Sequence, residues 1–388
     1  MPALRPPRAG ARGVKILSVV GARPQFVKAA PVSRVLRRDH TEVLVHTGQH
    51  YDDSMSEAFF RDLEIPAPEV NLEVGSGGHS EQTAEIMRRL DPIVAAEQPD
   101  AVLLYGDTNS TLAAALVAAK MRYPDGRRPW TAHVEAGLRS YNRQWPEEHN
   151  RVVADHLSEL LLAPTEVAMA NLAREGLADR ARNVGDVMVD SFMWASEHSG
   201  DALPALAREL PGYVLLTMHR GDNVDDPQLL GEWLDALRME RPVIFPVHPR
   251  TAASLLQGNV EVPANIHTID PVGYLTMVAL ERHAALIVTD SGGVQREAYL
   301  AGVPCLTLRD ETEWLETLDG GWNRLVSSSP AGLRAALAAS TFEPPAAERP
   351  PIFGGGHAAE RIVAALDAFA ADAARLAPQQ QHEEAVAG

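Results

Sequence analysis

The sequence predicts an α/β protein built from two Rossmann-like, doubly wound domains that face a cleft. Three observations carry the prediction. Apolar runs of strand length alternate with helix-length amphipathic segments nearly throughout, the pattern of parallel sheets covered by helices on both faces. The 388 residues suffice for two domains of ordinary size. Polar residues collect where the apolar runs end, and in open α/β sheets ligands sit outside the carboxyl ends of the strands.

In chain order, the first half offers the strands VKILSVVG, TEVLVHTG, DAVLLYGD, WTAHVEAG and ELLLAP. The second half offers GYVLLTMH, RPVIFPVH, NIHTID, ALIVTDS and PCLTLRD. Between them, around residues 186–212, a helix and the Pro- and Gly-bearing segment SEHSGDALPALARELPG make a hinge. The expected layout is a disordered leader over 1–13, a first domain over 14–188, and a second over 189–356. A helix of about 357–376 crosses back to the first domain, and a disordered tail covers 377–388.

Composition narrows the function. The balance of 35 Lys+Arg against 52 Asp+Glu gives a formal charge of −17, which argues against a nucleic-acid or membrane-surface binder. An anionic ligand must then be met by local groups, so each basic residue inside a motif gains weight. The leader carries no apolar segment of a secretory signal, and no apolar run approaches a membrane span. A cytoplasmic protein is expected. Cys305, in the apolar run VPCLTL, reads as a packed core thiol in a reduced compartment.

The chemistry is read from the strand ends. ALIVTDSGGVQREAYLAG is a strand, a turn at Gly292 and Gly293, and a helix closed by Gly302. Such a turn presents backbone N–H groups to a phosphate; a plain βα connection is the alternative. Ser291 adds a hydroxyl, and Glu297 is placed to take the two hydroxyls of a ribose. GARPQFVKAAP sets Arg23 in a glycine turn and Lys28 one helical turn further, both suited to phosphates. Other polar strand ends are Gln49 and His50, Asp107, Glu135, His219 and His248. Glu135 lies in an apolar run, where burial raises a carboxyl pKa towards the range useful for acid–base work. WPEEHNR offers Glu147 and Glu148, one of which has the option of merely complementing a helix dipole. His219 stands beside Arg220, where an imidazole meets a diphosphate. No G-x-G-x-x-G follows a strand and no metal-ligand spacing occurs. Acid–base chemistry with a phosphate leaving group, needing neither metal nor nicotinamide, is the expectation.

GARPQFVKAAP, TGQHYD, GDTNSTLAAAL, HVEAGLRSYNRQWPEEHNR, TMHRGDN, FPVHPR, DPVGYL and TDSGGVQREA, in this order and spacing, resemble the non-hydrolysing UDP-N-acetylglucosamine 2-epimerase family over about residues 14–370. The resemblance implies a GT-B fold, a homodimer, and interconversion of UDP-N-acetylglucosamine and UDP-N-acetylmannosamine for cell-surface polysaccharide. It implies Asp107, Glu135 and Glu147 as catalytic carboxylates and His219 at the diphosphate and in catalysis. Arg23, Lys28, Gln49, His50 and Arg139 fall to the substrate, and Ser291, Gly292, Gly293 and Glu297 to UDP. Ala22, Gln25 and Phe26 depart from the family's commoner G-T-R-P-E-A. Trp314 stands where better-known members carry an arginine, and Val272 where they carry a glutamine. The Gln49-His50-Tyr51 loop also differs from that of members activated by their own substrate. These changes resemble the branch that epimerises UDP-2,3-diacetamido-2,3-dideoxyglucuronate, whose extra carboxylate asks for a cation among Arg139, Arg143 and Arg151. A GT-B glycosyltransferase and a non-catalytic nucleotide-sugar sensor are the readings from other classes.

Overall fold

Lys15–Val20, KILSVV, buries five of its six residues, as a strand covered on both faces must. It is β1 of a first parallel sheet continued by β2 (Thr41–His46), β3 (Val70–Asn71), β4 (Ala101–Tyr105), β5 (Trp130–Val134), β6 (Leu160–Ala163) and β7 (Ala181–Asn183). The computed structural model describes residues 13–48, 63–200, 202–326, 329–340, 342–346 and 348–386, with the side chains of Arg23 and of 374–386 left out. The expected leader, the end of the tail, and Gln49, His50 and Tyr51 lie outside the described residues. The chain divides into two compact units, one of residues up to Ser191 with those from Phe353 onward, the other Phe192–Ile352.

In the first unit the strand order is β3-β2-β1-β4-β5-β6-β7, with Leu17 opposite both Val43 and Val102. Its helices are α1 (Arg23–Leu36), α2 (His79–Glu97), α3 (Asn109–Lys120), α4 (Pro146–Leu157) and α5 (Glu166–Arg174). Val19, Val45 and Leu104 of the sheet pack on Ile86, Leu90 and Val94 of α2 and on the alanine-rich face of α3. α6 (Val187–His198) carries the point of division.

The second unit holds α7 (Ala205–Glu209), β8 (Val214–Thr217), α8 (Gly221–Val224), α9 (Pro227–Ala236), β9 (Val243–Pro246), α10 (Pro249–Gln257) and β10 (Ile266–Ile269). It continues with α11 (Tyr274–His283), β11 (Leu286–Thr289), α12 (Gly292–Ala301), β12 (Cys305–Thr307), β13 (Asn323–Leu325) and α13 (Pro330–Ala338). The order is β10-β9-β8-β11-β12-β13, all parallel. Strand residues alternate between two cores: Leu216, Phe245 and Val288 face Trp233 and Leu333, while Leu215, Ile244 and Ile287 face Leu280 and Ala298. Cys305 is in the second of these, and burial pushes its thiol up to about 12. It is a core thiol.

α14 (Ala358–Val386) returns to the first unit. The Asp190 carboxylate caps it, accepting from the amides of Ala358 and Ala359 at 3.1 and 3.0 Å. Phe369 packs on Trp130 with ring centroids 4.8 Å apart. Among the described residues no helix is long and apolar enough to cross a membrane. Three strands escape the sequence pattern: β3, β7 and β13 are two or three residues long and sit at sheet edges. Both sheets share one topology. Each reverses direction beside its first strand, between β1 and β4 and between β8 and β11, which is where an open α/β sheet forms its ligand crevice.

Candidate active site

The first reversal point is closed by its own side chains. Gln25 Oε1 accepts from the amides of Gly21 and Ala22 at 2.8 and 3.1 Å. Its Nε2 donates to the Tyr105 carbonyl at 2.7 Å and the Thr111 hydroxyl at 3.1 Å, tying the end of β1 to the end of β4. A glutamate here would lack the two donors. The turn's first amides are therefore occupied internally, and Lys28 turns inward to the Glu135 carboxylate, both side chains buried. Gly106 makes room for that pair. Its φ is +61°, and a Cβ on it would lie 2.9 Å from Lys28 Nζ and 3.2 Å from Glu135 Oε2. Glu135 itself adopts φ +73°, a left-handed conformation that costs a non-glycine residue on the order of 1–3 kcal/mol.

Asp107 follows Gly106. Its Oδ2 takes Arg151 Nη2 at 2.5 Å, with the arginine buried and the carboxylate 30% exposed. Asn150 Nδ2 donates to its carbonyl at 2.9 Å. Arg151 and Asn150 come from α4, which opens with Glu147 and Glu148. These two differ. Glu148 is buried and accepts from the amides of Ser140 and Tyr141 and the Ser140 hydroxyl at 2.9–3.0 Å, so it fastens the preceding loop. Glu147 is exposed and, among the described residues, has no polar partner.

Arg139 does not face the site as its motif suggested. Its guanidinium is buried between Asp155 at 2.8 Å and Glu175 at 2.7 Å, because two carboxylates from α4 and the end of α5 outcompete solvent for it. Arg143 remains exposed. Arg23 opens α1.

The second reversal point is open. Ser291 caps α12, its hydroxyl accepting from the Val294 amide at 3.4 Å. Among the described residues nothing accepts from the amides of Gly292 and Gly293, the first donors of the helix. A Cβ on Gly292 would lie 2.8 Å from Glu313 Oε1 and push that side chain aside, whereas one on Gly293 would meet only Ser291 Oγ at 3.7 Å. Glu297 is buried one turn on. Beside it the Glu281 carboxyl, fully buried, has its pKa raised well above the usual range, first by burial and then by the charge of Glu297. Trp314, buried, lies 3.8 Å beneath the Arg296 guanidinium, so a cation–π pair occupies the place of the expected arginine.

Asp290 was missed by the sequence reading and ties this turn to β8. It accepts from the amides of His219 and Arg220 at 3.0 and 2.8 Å and from Asn223 Nδ2 at 3.1 Å. His219 Nδ1 stands 3.1 Å from its Oδ1. Burial opposes its charge, yet these hydrogen bonds, that of the His219 ring foremost, hold its carboxyl down to about 2. The aspartate thereby orients a 40% exposed imidazole with Nε2 directed away from it. His248 lies alongside, its ring centroid 5.5 Å from that of His219. An acidic residue in TDSGG carries no outward sign that it points back to another strand's loop. Asp107 and Glu135 thus come together at adjacent strand ends in the first unit, and His219, Ser291, Gly292, Gly293 and Glu297 gather at the second.

The profile of the UDP-N-acetylglucosamine 2-epimerase family matches residues 34–367. A UDP-N-acetylglucosamine 2-epimerase homolog of Methanococcus maripaludis is 45% identical over 91% of this chain and 99% of its own. The UDP-2,3-diacetamido-2,3-dideoxy-D-glucuronate 2-epimerase of Pseudomonas aeruginosa is 41% identical over 90% and 98%. The crystal structure of the Methanocaldococcus jannaschii UDP-GlcNAc 2-epimerase, in complex with UDP-GlcNAc and UDP, superposes with a TM-score of 0.82 at 38% identity, covering 91% of this chain and 99% of that one.

Proposed function

Since the chain belongs to the UDP-N-acetylglucosamine 2-epimerase family, we propose that it interconverts UDP-N-acetylglucosamine and UDP-N-acetylmannosamine. It is a nucleotide-sugar 2-epimerase, an isomerase. The C2 hydrogen of such a sugar is not next to a carbonyl, so simple deprotonation is very unfavourable. Breaking C2–H and the C1–O bond to UDP together forms a C1=C2 double bond, giving 2-acetamidoglucal and free UDP. The proton passes to a carboxylate. Re-addition of UDP at C1, with a proton delivered to the other face of C2, completes the inversion.

The observation that carries this reading is the placement of Asp107 and Glu135. They stand at the ends of adjacent strands β4 and β5, each beside a buried cation, Arg151 and Lys28. Two carboxylates so placed at neighbouring strand ends are the first two acid–base groups. Exposed Glu147 is the third acid–base group. The second unit holds the nucleotide: the Gly292 and Gly293 amides and Ser291 take the diphosphate, His219 meets its charge, and Glu297 takes the ribose hydroxyls. Arg23, Gln49 and His50 complete the substrate contacts. The protein works as a cytoplasmic homodimer supplying cell-surface polysaccharide synthesis, without metal or nicotinamide.

The diacetamido uronate is the second reading, favoured by Trp314 and by the Pseudomonas relative. An added substrate carboxylate needs an available cation, and Arg139 and Arg151 already face carboxylates. That leaves Arg143, which weighs towards the N-acetylglucosamine substrate. Each UDP sugar supplied in heavy water, with C2 followed by proton NMR, decides. Deuterium enters C2 of UDP-N-acetylglucosamine and the manno isomer accumulates still attached to UDP. Absence of solvent deuterium with either sugar overturns the assignment, and transfer of the sugar to an acceptor would make the protein a glycosyltransferase.

A further inference from the structure

His133 lies in β5 with no solvent exposure. Its Nδ1 is 2.7 Å from Asp155 Oδ1 and its Nε2 is 2.7 Å from the Gly106 carbonyl oxygen. A carbonyl has no proton to give. Asp155 is placed as an acceptor throughout: its Oδ2 receives the Gly137 amide at 3.0 Å and Arg139 Nη1 at 2.8 Å, the pattern of a carboxylate. Both ring nitrogens therefore face acceptors, and a neutral imidazole can donate from only one. A neutral ring would set a nitrogen lone pair against an oxygen lone pair in a dry interior, a loss greater than an ordinary unmade hydrogen bond.

We propose that His133 is a buried imidazolium that acts as a positioning residue, gripping the peptide bond between Gly106 and Asp107 and placing positive charge behind Asp107 and Glu135. The grip is direct, since the carbonyl it holds is joined to the nitrogen of Asp107. The same glycine backs onto the Lys28–Glu135 pair. Other charged groups facing this region are Asp155 and Arg151 of α4, Arg139 of the loop after β5, and Glu175 at the end of α5, which also takes His156 at 3.2 Å. Asp155 and Glu175 together balance the ring and Arg139, and of these four groups the ring is the one whose hydrogen bond reaches the Gly106 carbonyl. The ring's charge thus stands on the carbonyl joined to Asp107, and its removal is what the kinetic arm reads.

The inference rests on Asp107 and Glu135 being the acid–base groups, and its test has one arm independent of that. In histidine-labelled protein, ¹⁵N NMR reads each ring nitrogen. Both nitrogens of His133, assigned by the signal lost in H133Q, carry protons throughout the neutral range. A ring with one bare nitrogen, or one that titrates there, overturns the proposal. The second arm is kinetic. H133Q keeps a donor for the Gly106 carbonyl but removes the charge. Its kcat falls about tenfold, equivalent to about 1.4 kcal/mol of transition-state stabilisation. The acid limb of its kcat/KM profile moves to higher pH, while KM for the UDP sugar stays near that of the parent. A purely structural role would lower the active fraction and leave the limb in place, and that result also overturns the proposal. If the parent protein epimerises no UDP sugar, the proposed function fails while the NMR arm still decides the state of His133.

Discussion

At the scale of single residues, the two reversal points are governed by side chains that the motifs contain but do not advertise. Asp290 shows how. It is ionised in the fold with its carboxyl at about 2 against an ordinary 3.8, so it contributes stability that is present above the ordinary value and lost as pH falls through the folded one. The difference corresponds to about 2 kcal/mol. Urea unfolding of the parent and of Asp290→Asn, compared above and below that window, should show the gap between them shrinking by about this amount on acidification. A gap independent of pH would mean that Asp290 is not held ionised by its partners. The strand-end positions of Asp107, Glu135 and His219 were legible from apolar runs followed by a polar residue. Which of Glu147 and Glu148 stays exposed was not, because a helix start places both in its first turn and only the Ser140–Tyr141 loop selects Glu148.

At the scale of elements, the loop after β4 concentrates the constraints. Gly106 has a left-handed φ and lies against the Lys28–Glu135 pair. Gly106→Ala should cost about 1–3 kcal/mol from the conformation alone, and its methyl group would displace the lysine from the glutamate. We expect a lower midpoint in chemical unfolding together with a loss of kcat of about a hundredfold; full activity with a lowered midpoint would remove the pair from the chemistry. The long strands could be read from sequence because burial on both faces leaves continuous apolar runs. β3, β7 and β13 could not, because an edge strand of two or three residues owes its place to its neighbour and not to its own pattern.

At the scale of the whole molecule, one topology serves twice, and the proposed function gives the nucleotide to one copy. UDP should therefore stabilise the second unit. At a hundred times its dissociation constant it should add about 2.7 kcal/mol, read as slowed hydrogen exchange in β8, β11 and the first turn of α12, with β1 to β4 changed far less. Equal protection of both sheets would contradict this division of labour. The alternation of runs made both sheets readable from sequence; that Gln25 would plug one of them was not, since a glutamine near a helix start looks the same whether it faces water or its own backbone.

That plug has a further consequence. A nucleotide sugar is a polar object, anionic at one end and uncharged at the other. With the amides of Gly21 and Ala22 already occupied and those of Gly292 and Gly293 without an acceptor among the described residues, the proposed function gives such a molecule a single direction, although the two sheets are wound alike. Replacing Gln25 would blur that sense of direction before it damaged any bond-making group.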